Sequence, residues 1–449
     1  MNEKLNEALN EIRDEHISEA SKRPRSVIFR RVGVIAAILV VAIVIGVVGN
    51  PLAISAKAVS VATYEKTNIP DLHKHIQSAN EQLRGFFKSS MVQILTDETG
   101  ANQAYSPVNL YLAMSAAAEL TGGDEQLLTL LNSPNLSELR SQAYHVWNSC
   151  YQDKNNKSLL ASSLWLDNML TYNQEVMDTL AKNYYTSVYQ GDLGSSGVDR
   201  AITQWLNQQT NNLLSDNTGN VQLPDNAVLA FYSTICFQVK WDKEFKKSHN
   251  TEGVFHCPDK DETVTFMNGQ QDANYYWGSD FSAAAIKLKN GGKMWLILPD
   301  EGKTPNDLLQ SGAFLNALFP EDGFLQEGEN YKYMKVNLSL PKFDIRCSAK
   351  LEEDLQALGV TNIFDPDSRC LNHAVNSMFS CYVDEINQAT RVAVDEEGIT
   401  AASYVEIIGA GNAAPPSGDE VDLVLDRPFL FVVVNYLGLP LFAGTVNNP

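Results

Sequence analysis

The chain has 449 residues and a formal net charge of −20 at pH 7, and 44% of its residues are hydrophobic. This length suffices for one or two buried cores, and the composition is that of an ordinary globular protein. The acidic balance argues against nucleic acid as a partner, because phosphate binding needs a basic face. The six cysteines lack CxxC spacing, which argues against a zinc framework or a disulfide-dense scaffold. Free thiols are expected, although Cys370 and Cys381 are close enough in sequence to pair.

The N-terminal part contains a candidate membrane span. Residues 32–49 carry no charge, and about 20 such residues cross the hydrocarbon core as a helix. Cationic residues precede the run and predict that residues 1–31 are a cytoplasmic polar segment. The expected protein is therefore a single-pass membrane protein held in the lipid bilayer by residues 32–49. The alternative is secretion after cleavage near Ala58, since residues 56–58 have the small-x-small form of a cleavage site.

A tether is predicted over residues 50–70 and a folded domain over residues 71–449. Apolar residues at helical spacing predict a long helix from Ile76 to Ile94, and Ser106 with Pro107 predicts the start of a buried helix. Strands are predicted at residues 159–166, 227–241, 264–267, 284–288, 294–298, 336–345, 429–434 and 441–446. Helices predominate early and strands late, which favours an α+β fold over a doubly wound sheet.

The stretch from Asp395 to Gly418 is the least ordinary part of the sequence. It is rich in small residues and lies between apolar strands, as a linker or a functional loop would. From Ile399 to Ile408, alternate residues are apolar or small while the intervening ones are more polar. That is the pattern of a strand with one buried face. The loop can therefore form a strand, and no proline interrupts it before Pro415.

No enzyme signature is present: the chain lacks G-x-S-x-G, H-E-x-x-H and phosphate-loop motifs. His73 and His75 could share a face, but they are expected in the tether or the first helical turn rather than in a metal site. We therefore expect no catalytic residues, no cofactor and no metal.

Several motifs, in order and spacing, resemble the serpin family. They cover about residues 70–449 and lie at residues 104–109, 233–245, 340–343, 355–359, 394–402, 427–431 and 441–449. The resemblance implies an α+β serpin fold with three β-sheets, eight or nine helices and an exposed reactive loop at about residues 396–420. With the preceding segment, the chain is identified as a bacterial-type serpin with an N-terminal membrane anchor.

The resemblance also implies a mechanism. An extracellular serine protease attacks the loop and forms a covalent acyl complex, and the cleaved loop then inserts as a strand into the large sheet and traps the enzyme. The protein is expected to act once and as a monomer. The matching hinge residues are Glu396, Glu397, Gly398, Ile399, Thr400, Ala401 and Ala402. In this hinge Gly398 is expected to allow a bend, and Ile399 is bulkier than the usual Thr or Ser.

Sheet opening depends in this family on a Ser/Asn/His network. Ser106 is kept, whereas Asn109, Ser233 and Gln388 stand where Ser, Asn and His are usual. The polar types are permuted rather than lost, so a rewired hydrogen-bond network is expected, since each unpaired buried group would cost about 1–3 kcal/mol. Trp241 completes the predicted sheet-opening region.

Counting the family's spacing from Glu396 places the reactive bond at Asn412-Ala413, and a count back from Pro428 reaches Ser417. All candidates for the bait residue are small, which suits elastase-like or subtilisin-like proteases. The sequence thus predicts a serine-type endopeptidase inhibitor at the cell surface rather than an enzyme. The alternative function is a non-inhibitory serpin-fold binding or structural protein.

Overall fold

A computed structural model describes residues 55–153, 156–210, 212, 221–224, 226–319, 330–376, 381–383, 386–399 and 418–449. Residues 54–449 form one compact unit. Across these ranges, no helix is both long and apolar enough to span a bilayer. The predicted membrane span at residues 32–49 lies outside them.

The described residues contain ten α-helices, against eight or nine expected. The predicted long helix is in fact two, because the chain leaves helical geometry at Ala79, where φ is −94° and ψ is 4°. Helix α3 begins as predicted: Pro107 occupies its first turn and the Ser106 hydroxyl accepts a hydrogen bond from the Asn109 amide. The helices are α1 (Leu72–Ser78), α2 (Asn80–Leu95), α3 (Pro107–Leu120), α4 (Glu125–Leu130), α5 (Leu136–Cys150), α6 (Gln174–Asn183), α7 (Ser196–Gln209), α8 (Pro305–Ser311), α9 (Ala313–Leu318) and α10 (Glu352–Ala357).

The strands form three sheets. They are β1 (Ala56–Ser60), β2 (Gln103–Tyr105), β3 (Lys157–Asp167), β4 (Thr171–Tyr172), β5 (Thr186–Gly191), β6 (Leu229–Lys240), β7 (Thr251–His256), β8 (Asp261–Trp277), β9 (Phe281–Lys287), β10 (Lys293–Pro299), β11 (Tyr331–Pro341), β12 (Phe343–Lys350), β13 (Val375–Asn376), β14 (Asn387–Val394), β15 (Gly398–Ile399), β16 (Glu420–Val424), β17 (Phe429–Val434) and β18 (Pro440–Val446).

One sheet has seven strands in the order β1-β5-β3-β6-β15-β14-β12. A nine-stranded sheet runs β16-β11-β8-β9-β10-β17-β18-β2, with β7 added beside β8, and β13 with β4 forms the third sheet. The two large sheets share a core, in which Phe237 of β6 meets Phe442 of β18 edge to face, with ring centroids 5.8 Å apart. Strands follow helices along the chain, so the α+β expectation is met.

The single strand predicted at residues 336–345 is in fact parts of two. β11 ends at Pro341 and pairs with β8, whereas β12 begins at Phe343 and pairs with β14 in the other sheet. Alternation of apolar residues continues through both, so periodicity alone did not reveal the crossing. Lys342 lies at the junction.

Residues 56–67, within the predicted tether, are packed on the domain. β1 pairs antiparallel with β5, with Ala56 opposite Gly191. The Tyr64 hydroxyl donates to the Ser162 carbonyl oxygen at 3.0 Å, and the Ala62 amide donates to the Ser187 hydroxyl. The seven-stranded sheet thus begins upstream of residue 70.

Candidate functional site

The first residues of the predicted loop lie between two strands of the seven-stranded sheet. β15 pairs Ile399 with Val239 of β6 on one side and with Val394 of β14 on the other. Among the described residues, β15 is the link between β6 and β14. Ile399 is 2% exposed. The start of the hinge therefore lies between β6 and β14, at one end of the position that a further strand would take, which we call the slot.

Another strand approaches Gly398 closely. A Cβ atom there would overlap the Val239 carbonyl oxygen and lie 2.6 Å from the Lys240 Cα. Gly398 is absent from the glycines with positive φ, so its own backbone conformation does not require glycine, and the expected bend at the hinge stays a prediction. Only glycine lets the chain enter the slot at this point.

The turn before Gly398 is held by hydrogen bonds. The Asp395 carboxylate accepts from the amides of Glu397 and Gly398, at 2.8 and 3.1 Å. The Trp241 indole donates to the Asp395 carbonyl oxygen at 2.8 Å, and the Trp241 amide donates to that of Glu397. Trp241, which is fully buried, therefore fixes the hinge from the end of β6.

Glu396 is the most strongly bound side chain of the hinge. Its carboxylate lies 2.5 Å from the Lys342 ammonium and accepts from the Asn250 amide at 2.6 Å. Burial raises the pKa of Glu396, but the hydrogen bonds from Lys342 and Asn250 outweigh that effect and lower it to about 2. Neither partner was predicted from the sequence. Lys342 was visible in the motif at residues 340–343, whereas no local pattern marks Asn250.

The four polar residues of the predicted network, Ser106 and the permuted Asn109, Ser233 and Gln388, meet at the N-terminus of α3. The Gln388 side chain accepts from the Ser106 amide at 2.8 Å and donates to the Ser106 carbonyl oxygen at 3.4 Å. The Ser233 hydroxyl donates to the Asn109 side chain at 2.6 Å. All four are thus partnered, and β14 and β6 are each linked to α3 by one side chain.

This network continues to β3 and to Tyr64, while Trp241 stands apart from it. The Ser233 hydroxyl also lies 3.0 Å from that of Ser162 on β3. Ser162 in turn carries the carbonyl oxygen that binds Tyr64. Trp241 contacts the hinge instead, so the five residues of the predicted opening region form two groups.

The far end of the loop is also anchored. β16 pairs in parallel with β11, with Glu420 opposite Lys335, and Asp419 forms an ion pair with Lys332. The predicted hinge residues Thr400, Ala401 and Ala402 lie outside the described residues. So does the predicted reactive bond, Asn412-Ala413.

None of the six cysteines, all of which lie within the described ranges, forms a disulfide, and Cys370 is not bonded to Cys381. His75 stacks on His145 of α5 with ring centroids 4.2 Å apart. No cluster of three metal-ligating side chains occurs in the part of the chain that the structure describes.

Comparison with known proteins gives a consistent result. Residues 83–449 match the family model described as "Serpin (serine protease inhibitor)". Serpin-ZX of Arabidopsis thaliana is 25% identical over 375 residues, which cover 79% of this chain and 94% of the relative. Alaserpin of Manduca sexta is 25% identical over 387 residues, covering 84% and 95%.

Comparison with solved structures also finds serpins. The crystal structure of the thermophilic serpin tengpin in its native state superposes with a TM-score of 0.73, at 22% identity, and covers 88% of this chain and 100% of that one. The family's members are in general protease inhibitors rather than enzymes. Because the family model matches most of this chain, the chain belongs to the serpin family.

Proposed function

We propose that this serpin traps extracellular serine proteases by inserting its cleaved loop between β6 and β14. The observation that carries the proposal is the pairing of Ile399 with both of those strands, next to Gly398, which pairs with β6. A strand that has already begun in a slot can lengthen residue by residue, because each further pair adds backbone hydrogen bonds.

The proposed insertion is compatible with the side chains of the hinge. Ile399 is larger than the Thr or Ser that is usual at this position in the family, yet it is buried next to Val239 and Val394. The small and apolar residues 401, 403, 405 and 407 would follow it on the same face. Insertion would separate the two links at α3, from Gln388 and from Ser233, by the width of one strand.

The bait is the uncharged bond Asn412-Ala413, and the targets are elastase-like or subtilisin-like proteases. Residues 395–419 contain no Lys or Arg, which a trypsin-like pocket would need. The protein acts as a monomer at a bacterial cell surface, held by residues 32–49. That location rests on the eighteen uncharged residues and the preceding cations.

The test mixes full-length protein in detergent with an elastase-like protease. The expected product is a complex that survives SDS, with loss of protease activity. The matched control is Ile399→Arg, because a cation at this buried position opposes insertion. The control should be cleaved without forming a complex. Cleavage of the wild-type loop by a fully active protease would refute the proposal.

The alternative, a non-inhibitory binding protein of the same fold, is favoured by one observation. Ser233 is hydrogen-bonded to both Ser162 and Asn109, which holds β6 to α3 and to β3. Thermal unfolding before and after loop cleavage separates the two functions. A marked rise of the midpoint indicates insertion, and an unchanged midpoint favours the alternative.

A further inference from the structure

A small polar cavity lies where the N-terminal segment meets the end of α5, the start of β3 and the turns after β9 and β17. Its volume is about 10 Å³, which is close to the space of one water-sized sphere. Ser158 of β3 lines the cavity, and this residue is 1% exposed. In the described part of the chain, the Ser158 hydroxyl has no hydrogen-bond partner. A buried hydroxyl without a partner is rare and costs free energy, so it points to a ligand in the cavity.

The two asparagines that line the cavity already have their side-chain oxygens bound. Asn435 Oδ1 accepts from two backbone amides of the turn that follows it, at 2.9 and 3.0 Å. Asn290 Oδ1 accepts from a backbone amide of its own turn at 3.0 Å. The amide nitrogens are therefore the groups that these residues have left for a ligand. Asn435 Nδ2 contacts Ser149 at 3.3 and 3.4 Å, which is near the limit of a hydrogen bond.

Two further donors line the cavity, the Cys150 thiol and the Lys66 ammonium. Burial raises the pKa of Cys150 to about 12, so the thiol keeps its proton at neutral pH. The positive charge of Lys66 opposes this rise in the pKa of Cys150, which shows that the two groups are close. Glu65 and Asp153 raise the pKa of Tyr151, which also lines the cavity, but neither carboxylate belongs to the lining. Lys66 is thus the charged residue of the lining.

We infer that this cavity binds one chloride ion, held by Ser158, Lys66 and the side-chain amides of Asn290 and Asn435. Several donors and a cation favour an anion over a water molecule, because a water also needs acceptors. The volume admits a single atom and excludes phosphate, sulfate and carboxylate groups. The site is distinct from the loop and the slot, so the inference does not depend on the proposed function.

Chloride at this site links the N-terminal segment to the rest of the domain. Lys66 lies upstream of residues 83–449, which match the family model, whereas Ser158, Asn290 and Asn435 lie within them. One ion therefore joins a residue outside the family match to three residues inside it. The stability of the folded protein should then depend on which anion is present and not only on the ionic strength.

The experiment compares the full-length protein in detergent in sodium chloride and in sodium gluconate at equal ionic strength. The line width of the chloride NMR signal reports binding, and bromide is the competitor. The wild type should broaden the signal, and bromide should reverse the broadening. Chloride at roughly ten times its dissociation constant should raise the thermal midpoint by about 1–2 °C relative to gluconate. Lys66→Met should remove most of both effects, whereas Lys66→Arg should keep them.

Ser158→Ala separates the ion from the packing. In gluconate this variant should be at least as stable as the wild type, because it removes an unpartnered hydroxyl, and it should gain less than the wild type from chloride. The control is Lys335→Met, which removes a lysine that pairs with Glu420 and does not line the cavity, and it should leave the broadening unchanged.

Three results would overturn the inference. The first is an equal midpoint of the wild type in the two salts, which would leave only general screening by salt. The second is broadening that both Ser158→Ala and Lys66→Met leave unchanged, which would place the bound chloride elsewhere. The third is an equal loss of stability by Ser158→Ala in chloride and in gluconate, because the hydroxyl would then have a partner that does not depend on the anion.

Discussion

Replacing Glu396 by Gln tests how firmly the native hinge is held. The Glu396 side chain is 4% exposed and binds Lys342 at 2.5 Å and Asn250 at 2.6 Å. Gln keeps the size and one carbonyl oxygen but loses the charge. The change should therefore release Lys342 while leaving the packing around the turn in place.

The expected magnitude follows from the pKa. The pKa of Glu396 is held at about 2, roughly two units below an ordinary glutamate, and each unit corresponds to about 1.4 kcal/mol. Because Lys342 is 37% exposed, solvent screening reduces the contribution to about 2 kcal/mol. Because the pKa of Glu396 is lower in the folded protein than in the unfolded chain, the ionised carboxylate stabilises the fold at pH values above the unfolded-state pKa. The contribution is therefore present above about pH 4.5 and is lost as the pH falls toward 2.

The assay is urea unfolding followed by tryptophan fluorescence, for which Trp241 is a suitable reporter because it binds the hinge. At pH 7 the variant should be less stable by about 2 kcal/mol, and the difference should shrink below about pH 4.5. The control, Glu420→Gln, removes a half-exposed ion pair at 3.6 Å and should change stability by less than about 1 kcal/mol. Parallel pH profiles for wild type and Glu396→Gln would refute the reasoning.

Three further predictions concern the slot, the network and the bait. Gly398→Ala should lower the urea midpoint strongly, because the new Cβ meets the backbone of Val239 and Lys240. The control Gly418→Ala, with no atom within 4 Å of its Cβ, should have little effect, and equal midpoints for the two variants would disprove the close-approach argument. Ser233→Ala should lower the free energy of unfolding by about 1–3 kcal/mol, because the Asn109 side chain loses its hydrogen-bond donor at 2.6 Å. The double variant Ser233→Ala with Asn109→Leu should lose less than the sum of the single changes, and strict additivity would show that the pair is not coupled. Asn412→Arg should transfer inhibition to trypsin-like proteases, as judged by SDS-stable complexes, and complexes with neither protease class would place the reactive bond elsewhere in the loop.

Much of the fold followed from the sequence because its strands and helices carry strong periodic patterns. Strands β3, β6, β9, β10, β17 and β18 match their predictions closely. The errors have local causes. The predicted long helix divides at Ala79, where no proline or glycine marks the break. The crossing at Lys342 keeps the same alternation on both sides, so the change of sheet is invisible to periodicity.

The site was predicted less completely, because its contacts join distant parts of the chain. Gln388 and Ser106 are 282 residues apart, and Glu396 and Asn250 are 146 apart. A motif can indicate that a residue belongs to the hinge, but it does not indicate which side chain completes its hydrogen bonds. Gly398 shows the same limit, because its motif does not indicate the close approach of Val239 and Lys240, which are distant in the chain.

The strand β1 shows where the described chain enters the domain. Ala56 lies opposite Gly191, at the end of the sheet near Leu229, whereas Gly398 lies at the other end, opposite Lys240. The two positions are separated along the strand direction by about twelve residues, or roughly 40 Å. A chain fixed through its N-terminus, to a bilayer or to an affinity resin, therefore enters the domain at the pole farthest from the hinge. The opposite pole, where the intact loop begins, is left open to large molecules in solution. The proposed insertion runs antiparallel to β6 from Lys240 toward Leu229, so it would bring a captured enzyme toward the pole at which the chain is attached.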